Sequence, residues 1–373
     1  MSDQGPAGAH VAPPSAGPPE GRAAARIAAH AVELAAALAF TLTAALAARR
    51  TAARSSRSLA AIATALALFL AACAAPQTRE LLAGPGAQVL GIRPAYEIPG
   101  VPFFAQDRGQ CGPATLAMAL DASGLALSPE DLRAAVFVPG RGGSFASEML
   151  AAARRHGRLA VALDPSLAAV LREVDAGHPV IVFQNLGLSF FPVWHYALVI
   201  GYDLPRGEIV LHSGPDARAH MDLAQFERTW SRGGHWAMVA GDPAILPVSA
   251  GTDVILEAAA ALERVDVAAA RRAYQALVLR SPGSFGAWMG LGNSAAARGD
   301  IDAAALAFAR ASELDPGRGE AWNNLASVLA ARGEIAPARA AIAHALSLGG
   351  PNRAVYEQTA REIGPEPPAP PGR

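Results

Sequence analysis

Cysteine is scarce: the 373 residues contain two, Cys73 and Cys111. A small secreted domain stapled by several disulfides is thereby excluded, because two thiols allow one bridge at most. Charge is scarce as well, with 17% charged residues and a formal net charge of −1. No long basic run follows the N-terminal region, so nucleic acid is not an expected partner. The nine histidines do not recur at ligand spacing with carboxylates or cysteines, the weak pair His212 and His220 aside, and no metal or other cofactor is expected. What remains is room for about two domains, at roughly 150 residues each.

Residues 59–70 form an almost unbroken apolar run, preceded by Arg54 and Arg57 and ending in Leu70-Ala71-Ala72-Cys73. A basic start, a short apolar stretch and small residues at its end read as an export signal over 55–73, too short for a spanning helix. The closing Leu-Ala-Ala-Cys resembles the lipobox of bacterial lipoproteins. That resemblance implies cleavage before Cys73 and acyl chains on it, anchoring the protein by lipid in the bacterial cell envelope, facing the periplasm. Ala74 stands where aspartate would signal inner-membrane retention, which favours the outer membrane. A second Ala/Leu-rich stretch, 26–48, has the length of a membrane span but carries His30 and Glu33. Residues 1–54 are read as an unstructured extension, or as sequence upstream of a true start near Ser55. Residues 74–95 are read as a linker.

The next segment, 96–247, carries the chemistry. Cys111 opens a helix in Gln110-Cys111-Gly112-Pro113-Ala114, with Pro113 in the first turn, where its missing N–H costs nothing. A helix N-terminus favours a thiolate through its unpaired N–H groups and dipole. His195 opens an apolar strand in Trp194-His195-Tyr196-Ala197-Leu198 and supplies the base that a thiol nucleophile needs. Ser128-Pro129-Glu130 is expected to start a second helix, and further helices are expected at 144–156, 165–176 and 222–231. Strands are expected at 179–183, 194–200, 208–212 and 235–240. Helices first and antiparallel strands afterwards make an α+β domain.

Several stretches together carry a resemblance: Val101-Pro102-Phe103-Phe104, Gln106, Gln110-Cys111-Gly112-Pro113-Ala114, Ala176-Gly177-His178-Pro179-Val180-Ile181-Val182, and the run from His195 to Asp203. They resemble the bacteriocin-processing, double-glycine-type cysteine peptidases, a branch of the papain-like fold. The resemblance implies that Cys111 is the nucleophile, His195 its base, and Gln106 the amide that helps hold the oxyanion, with Gln110 as the alternative. It also implies an acidic residue about one strand after the histidine. Here Val210-Leu211-His212-Ser213-Gly214-Pro215-Asp216 puts His212 or Ser213 in that place, with Asp216 and Asp203 as further candidates. Ser213 is carried forward as the fourth catalytic residue.

Beyond Pro247 the composition turns to Ala-rich helix. Pro282 recurs as Pro316, Trp288 as Trp322, Leu291 as Leu325, Gly299 as Gly333, Ala304 as Ala338 and Ala311 as Ala345. This spacing of about 34 residues matches the tetratricopeptide pattern, expected over 253–350 with a worn first copy from Val254. Residues 364–373 are Pro-rich and expected to be disordered. The composite expectation is an envelope-anchored cysteine peptidase. It cleaves peptide bonds of a protein substrate near small residues, while the repeats hold a protein partner. The alternative is a catalytically inactive papain-like domain whose repeats make it a protein-binding adaptor.

Overall fold

The computed structural model describes residues 75–365 except 85, 107, 108 and 142. The expected export signal, Cys73 and the tail from 366 onward lie outside the described residues. No described helix is long and apolar enough to cross a membrane.

Where the sequence suggested a linker, two helices form, α1 (Pro76–Ala83) and α2 (Gly86–Leu90). Helix α1 is held by a charge from elsewhere in the fold. The buried Glu227 carboxylate accepts the Gln77 and Thr78 N–H groups at 3.0 and 2.7 Å. A carboxylate at a helix N-terminus satisfies orphan donors and opposes the positive dipole end.

The elements that follow are β1 (Ala95–Glu97), α3 (Cys111–Ala122), α4 (Pro129–Val136), β2 (Phe137–Val138), β3 (Gly143–Ser144), α5 (Ala146–Arg155), β4 (Leu159–Ala162), α6 (Leu167–Asp175) and β5 (Val180–Asn185). After them come β6 (Trp194–Asp203), β7 (Glu208–Ser213), β8 (Asp216–Asp222), α7 (Leu223–Ser231) and β9 (Ala237–Gly241). Seven strands make an antiparallel sheet in the order β4-β9-β5-β6-β7-β8, with β1 also beside β6; β2 and β3 pair separately.

The ten-residue β6 is apolar on both faces because both are covered. Tyr196, Leu198 and Ile200 pack with Leu116, Met118 and Leu120 of α3, while Ala197, Val199 and Tyr202 pack with α6 and α7. Helix α3 is buried from Gly112 to Leu120. It is therefore apolar all round rather than on one stripe. Antiparallel β6 and β7, joined at Asp203-Leu204-Pro205-Arg206-Gly207, follow the expected turn.

The helical array comprises α8 (Thr252–Glu263), α9 (Val267–Arg280), α10 (Phe285–Ala296), α11 (Ile301–Leu314), α12 (Gly319–Ala331), α13 (Ile335–Leu348) and α14 (Arg353–Ile363). The sequence period reappears as a repeated bond: Trp288 Nε1 donates to the Pro282 carbonyl and Trp322 Nε1 to the Pro316 carbonyl, at 2.9 and 3.0 Å. Helix α14, not foreseen, closes the array by laying Tyr356 against Gly319. A Cβ there would sit 2.7 Å from the phenol ring.

The array does not hang from the sheet by a tether. Ile255, Ala258, Ala259 and Leu262 of α8 belong to the same apolar core as Leu159, Val161, Val170 and Val239. Glu173, fully buried, accepts hydrogen bonds from the Ser249 N–H and hydroxyl at 2.6 Å and pairs with His178 at 2.7 Å. Burial alone would raise the Glu173 pKa, but these bonds outweigh it and hold it below the usual carboxylate value.

Candidate active site

Cys111 is the first residue of α3 and is half-buried. The Gln110 side chain does not cap the helix, and the first intrahelical bond runs from Ala114 N–H to the Gln110 carbonyl at 3.0 Å. The Cys111 and Gly112 N–H groups therefore precede the intrahelical ladder, as an oxyanion site at a helix N-terminus requires. Gly112 is the only residue that fits next: a Cβ would lie 2.2 Å from Ser144 Oγ and 2.6 Å from Ser144 Cβ.

Thr115, one turn on, is the sole polar side chain in the buried stretch of α3, and it joins the helix to the strand that carries His195. Its hydroxyl donates to the Tyr196 carbonyl at 3.3 Å and accepts from Gln106 Nε2 at 3.1 Å. Gln106 also grips the turn after β7: its N–H donates to the Gly214 carbonyl at 3.0 Å, and its Oε1 accepts the Gly214 N–H at 3.3 Å. An amide carries two N–H hydrogens, so one remains after the bond to Thr115. Gln106 thus clasps three pieces together, the lead-in, the turn below Cys111 and the turn beyond Ser213. Gln110 makes no comparable link as a cap.

His195 Nε2 lies 2.9 Å from Ser213 Oγ. The register that sets Leu198 opposite His212 and Gln184 opposite His195 explains the contact, since His195, Gln184 and Ser213 share one face at the same end of the sheet. Burial pushes the His195 pKa down to about 4. Tyr196 faces the other way, toward α3; burial and the nearby Cys111 sulfur both push its phenol pKa up.

The other candidates for the orienting group are placed elsewhere. His212 spends both ring nitrogens on the backbone, Nδ1 accepting the Arg218 N–H at 3.1 Å and Nε2 facing the Val101 carbonyl at 3.3 Å. Asp203 sits at the far end of β6, where it accepts the Arg206 N–H. Asp216 is exposed and pairs with Ser213 only in backbone register. Gln184 was missed: it is buried, donates to Thr229 Oγ1 at 2.6 Å, and its Oε1 has no partner. The amide pair Gln184-Asn185 closing the apolar run 180–183, like the lone hydroxyl in α3, is the signal that was there to be read.

The Peptidase C39-like family model matches residues 98–238, and the tetratricopeptide repeat model matches 255–319 and 291–352. Residues 98–238 are a peptidase C39-like domain, and tetratricopeptide repeats follow it. Among solved structures, a Bacillus anthracis protein carrying the name C39-like peptidase is 19% identical. It covers 39% of this chain and 96% of its own, with a TM-score of 0.34. The peptidase domain of Streptococcus ComA, a bifunctional ABC transporter involved in quorum sensing, is 21% identical over 38% of this chain and 98% of its own, with a TM-score of 0.31. A Thermobaculum terrenum O-GlcNAc transferase is 31% identical over 26% of this chain and 19% of its own, with a TM-score of 0.25. No curated protein matches the chain.

The close approach in the C39-like domain has a measurable consequence. Gly112→Ala is expected to push β3 off the first turn of α3, costing about 1–3 kcal/mol as overpacking does. A second change, Ser144→Gly, removes both clashing atoms and should restore most of the loss. Thermal unfolding of the single and double variants checks it; equal melting temperatures for wild type and G112A would show that Ser144 yields freely.

Proposed function

We propose that the C39-like domain is a cysteine peptidase in which the Cys111 thiol attacks a peptide carbonyl with His195 as base. The observation that supports it most is the Gln106 clasp, which ties the turn after Cys111 to the turn after Ser213, the partner of His195. Thr115 bonds the Tyr196 carbonyl and so brings the first turns of α3 to the residue after His195, and the reading requires the thiol and imidazole to meet there. Among the described residues no carboxylate bonds the imidazole, and its low pKa favours a neutral thiol–imidazole pair at rest. His195 takes the thiol proton as sulfur bonds to the carbonyl carbon. The oxyanion is held by the first-turn N–H groups and the spare Gln106 N–H. His195 returns the proton to the leaving amine, and water, deprotonated by His195, then frees the acyl group from sulfur. A substrate with small residues at the scissile bond, tethering at the envelope through acylated Cys73, and a protein partner in the repeats complete the reading.

A second reading, an adaptor without activity, is favoured by one feature: a neutral hydroxyl, not an acid, bonds His195. An electrophilic peptide probe decides between them. In the peptidase, Cys111 is labelled at neutral pH and labelling falls at least about 100-fold in His195→Ala, the scale of general-base assistance. Equal labelling in both proteins would leave an ordinary exposed thiol and the adaptor.

A further inference from the structure

We propose that the tip of the β5–β6 hairpin, residues 186–194, inserts into the interfacial layer of a lipid bilayer. The segment Leu186-Gly187-Leu188-Ser189-Phe190-Phe191-Pro192-Val193-Trp194 has no charged residue. Its large apolar side chains are turned outward: Phe190 is 73% exposed, Phe191 74%, Val193 56% and Trp194 52%. Soluble surfaces seldom carry so contiguous an apolar patch without a partner for it.

The tip is built, not slack. Asn185 Oδ1 accepts the Gly187 and Val193 N–H groups at 3.0 and 2.9 Å, and the Leu186 N–H donates to the Val193 carbonyl at 2.9 Å. Phe191 N–H closes the turn onto the Leu188 carbonyl at 3.1 Å, and Trp194 stacks on Phe183 at 5.2 Å. Four backbone N–H groups of the tip, those of Leu186, Gly187, Phe191 and Val193, are thus bonded within it, which lowers the cost of entering an apolar medium. Phenylalanine and tryptophan at a tip are the residues that the bilayer interface takes up best. Arg232 Nε donates to the Asn185 carbonyl at 3.2 Å, which sets a cation at the hairpin base, on the side of the headgroups.

The start of the described chain points to the same occupant. Ala75 follows two residues after Cys73, the expected lipid attachment, and α1 docks on the first turns of α7 through Glu227 and the Leu223 carbonyl. The hairpin base is tied to Arg232, the residue that ends α7. Helix α1 and the hairpin base are thus both fixed to one helix, α7. Because Trp194 precedes His195, insertion would hold the candidate active site against the bilayer surface.

The test uses residues 75–373, which contain all three apolar cores and lack Cys73, so that no acyl chain contributes. Co-sedimentation with phosphatidylethanolamine–phosphatidylglycerol vesicles is expected. The double variant Phe190→Ser with Phe191→Ser should reduce the partition coefficient about tenfold or more. Its melting temperature should not change, because both rings are exposed. Absent vesicle binding, or binding indifferent to the double change, overturns the proposal. So does a variant that alters only the KM for a short soluble peptide, or that abolishes a dimer formed without lipid. Probe labelling of Cys111 is read separately, so the peptidase reading stands or falls by itself.

Discussion

Ser213→Asp is expected to make Cys111 react about 10- to 1000-fold faster with iodoacetamide at pH 7. His195 Nε2 is bonded to a neutral hydroxyl at 2.9 Å, and burial holds the imidazole pKa down at about 4. At pH 7 the wild-type ring is therefore uncharged and gives the thiol no electrostatic help to ionise. A carboxylate at hydrogen-bond distance raises the pKa of its partner base by about 1–3 units. Each unit shifts the exchange between thiol–imidazole and thiolate–imidazolium tenfold toward the ion pair. The sign is unambiguous: the wild-type imidazole charges only as the pH falls through about 4, while the variant holds its proton to higher pH. Alkylation rates measured from pH 4 to 8 should show an acid limb displaced upward in the variant. Ser213→Ala, which deletes the bond, should move reactivity little or downward. Unchanged alkylation in both variants would mean that the Ser213–His195 pair does not govern Cys111, and the peptidase mechanism would lose its base.

A chain stopped after Val248 is expected to lose cooperative folding, or to melt at least about 10 °C below the full chain. Ile255 and Leu262 fill the far face of the sheet, and each fully buried aliphatic side chain contributes about 1.5–3 kcal/mol. Against a total of roughly 5–15 kcal/mol for an ordinary domain, such losses are decisive. The truncation also removes Ser249, leaving the buried Glu173 with His178 alone. In the full chain the depressed Glu173 pKa adds stability above the normal carboxylate range, and this is lost as the pH falls through the folded value. Circular dichroism melts of the truncated chain, with full-length Leu262→Ala as a milder comparison at about 2–5 kcal/mol, measure the effect. A truncated chain melting with the full one would prove the two cores separable.

The two halves of the chain differ in how openly the sequence declares them. The tetratricopeptide register was readable because each repeat restates the same Pro, Trp, Gly and Ala needs, and the Trp288 and Trp322 bonds show why those positions recur. The α3 start was readable because Pro113 fits the first turn of a helix and an apolar run follows it. The strands were legible where both faces are buried, as in β5, β6 and β7. Strand β8, Asp216–Asp222, escaped because it is an exposed edge whose residues Asp-Ala-Arg-Ala-His-Met-Asp lack apolar alternation. Strand β4, four apolar residues long, is too short for periodicity to separate from helix. Helices α1 and α14 depend on tertiary partners, Glu227 for one and Gly319 for the other, that no local window contains. Ser213 was identified among four alternatives only by register, since β7 turns Ser213 toward His195 and His212 away from it.

The fusion of α8 into the sheet's far side gives the array a fixed bearing. A module on a flexible leash finds its target by search, at an effective concentration set by linker length. A protein gripped by these helices would instead be delivered along one line, so reach becomes a matter of angle and not of diffusion. Polar residues in place of Ile255 and Leu262, rather than a longer 242–250 connection, would turn the lever back into a leash.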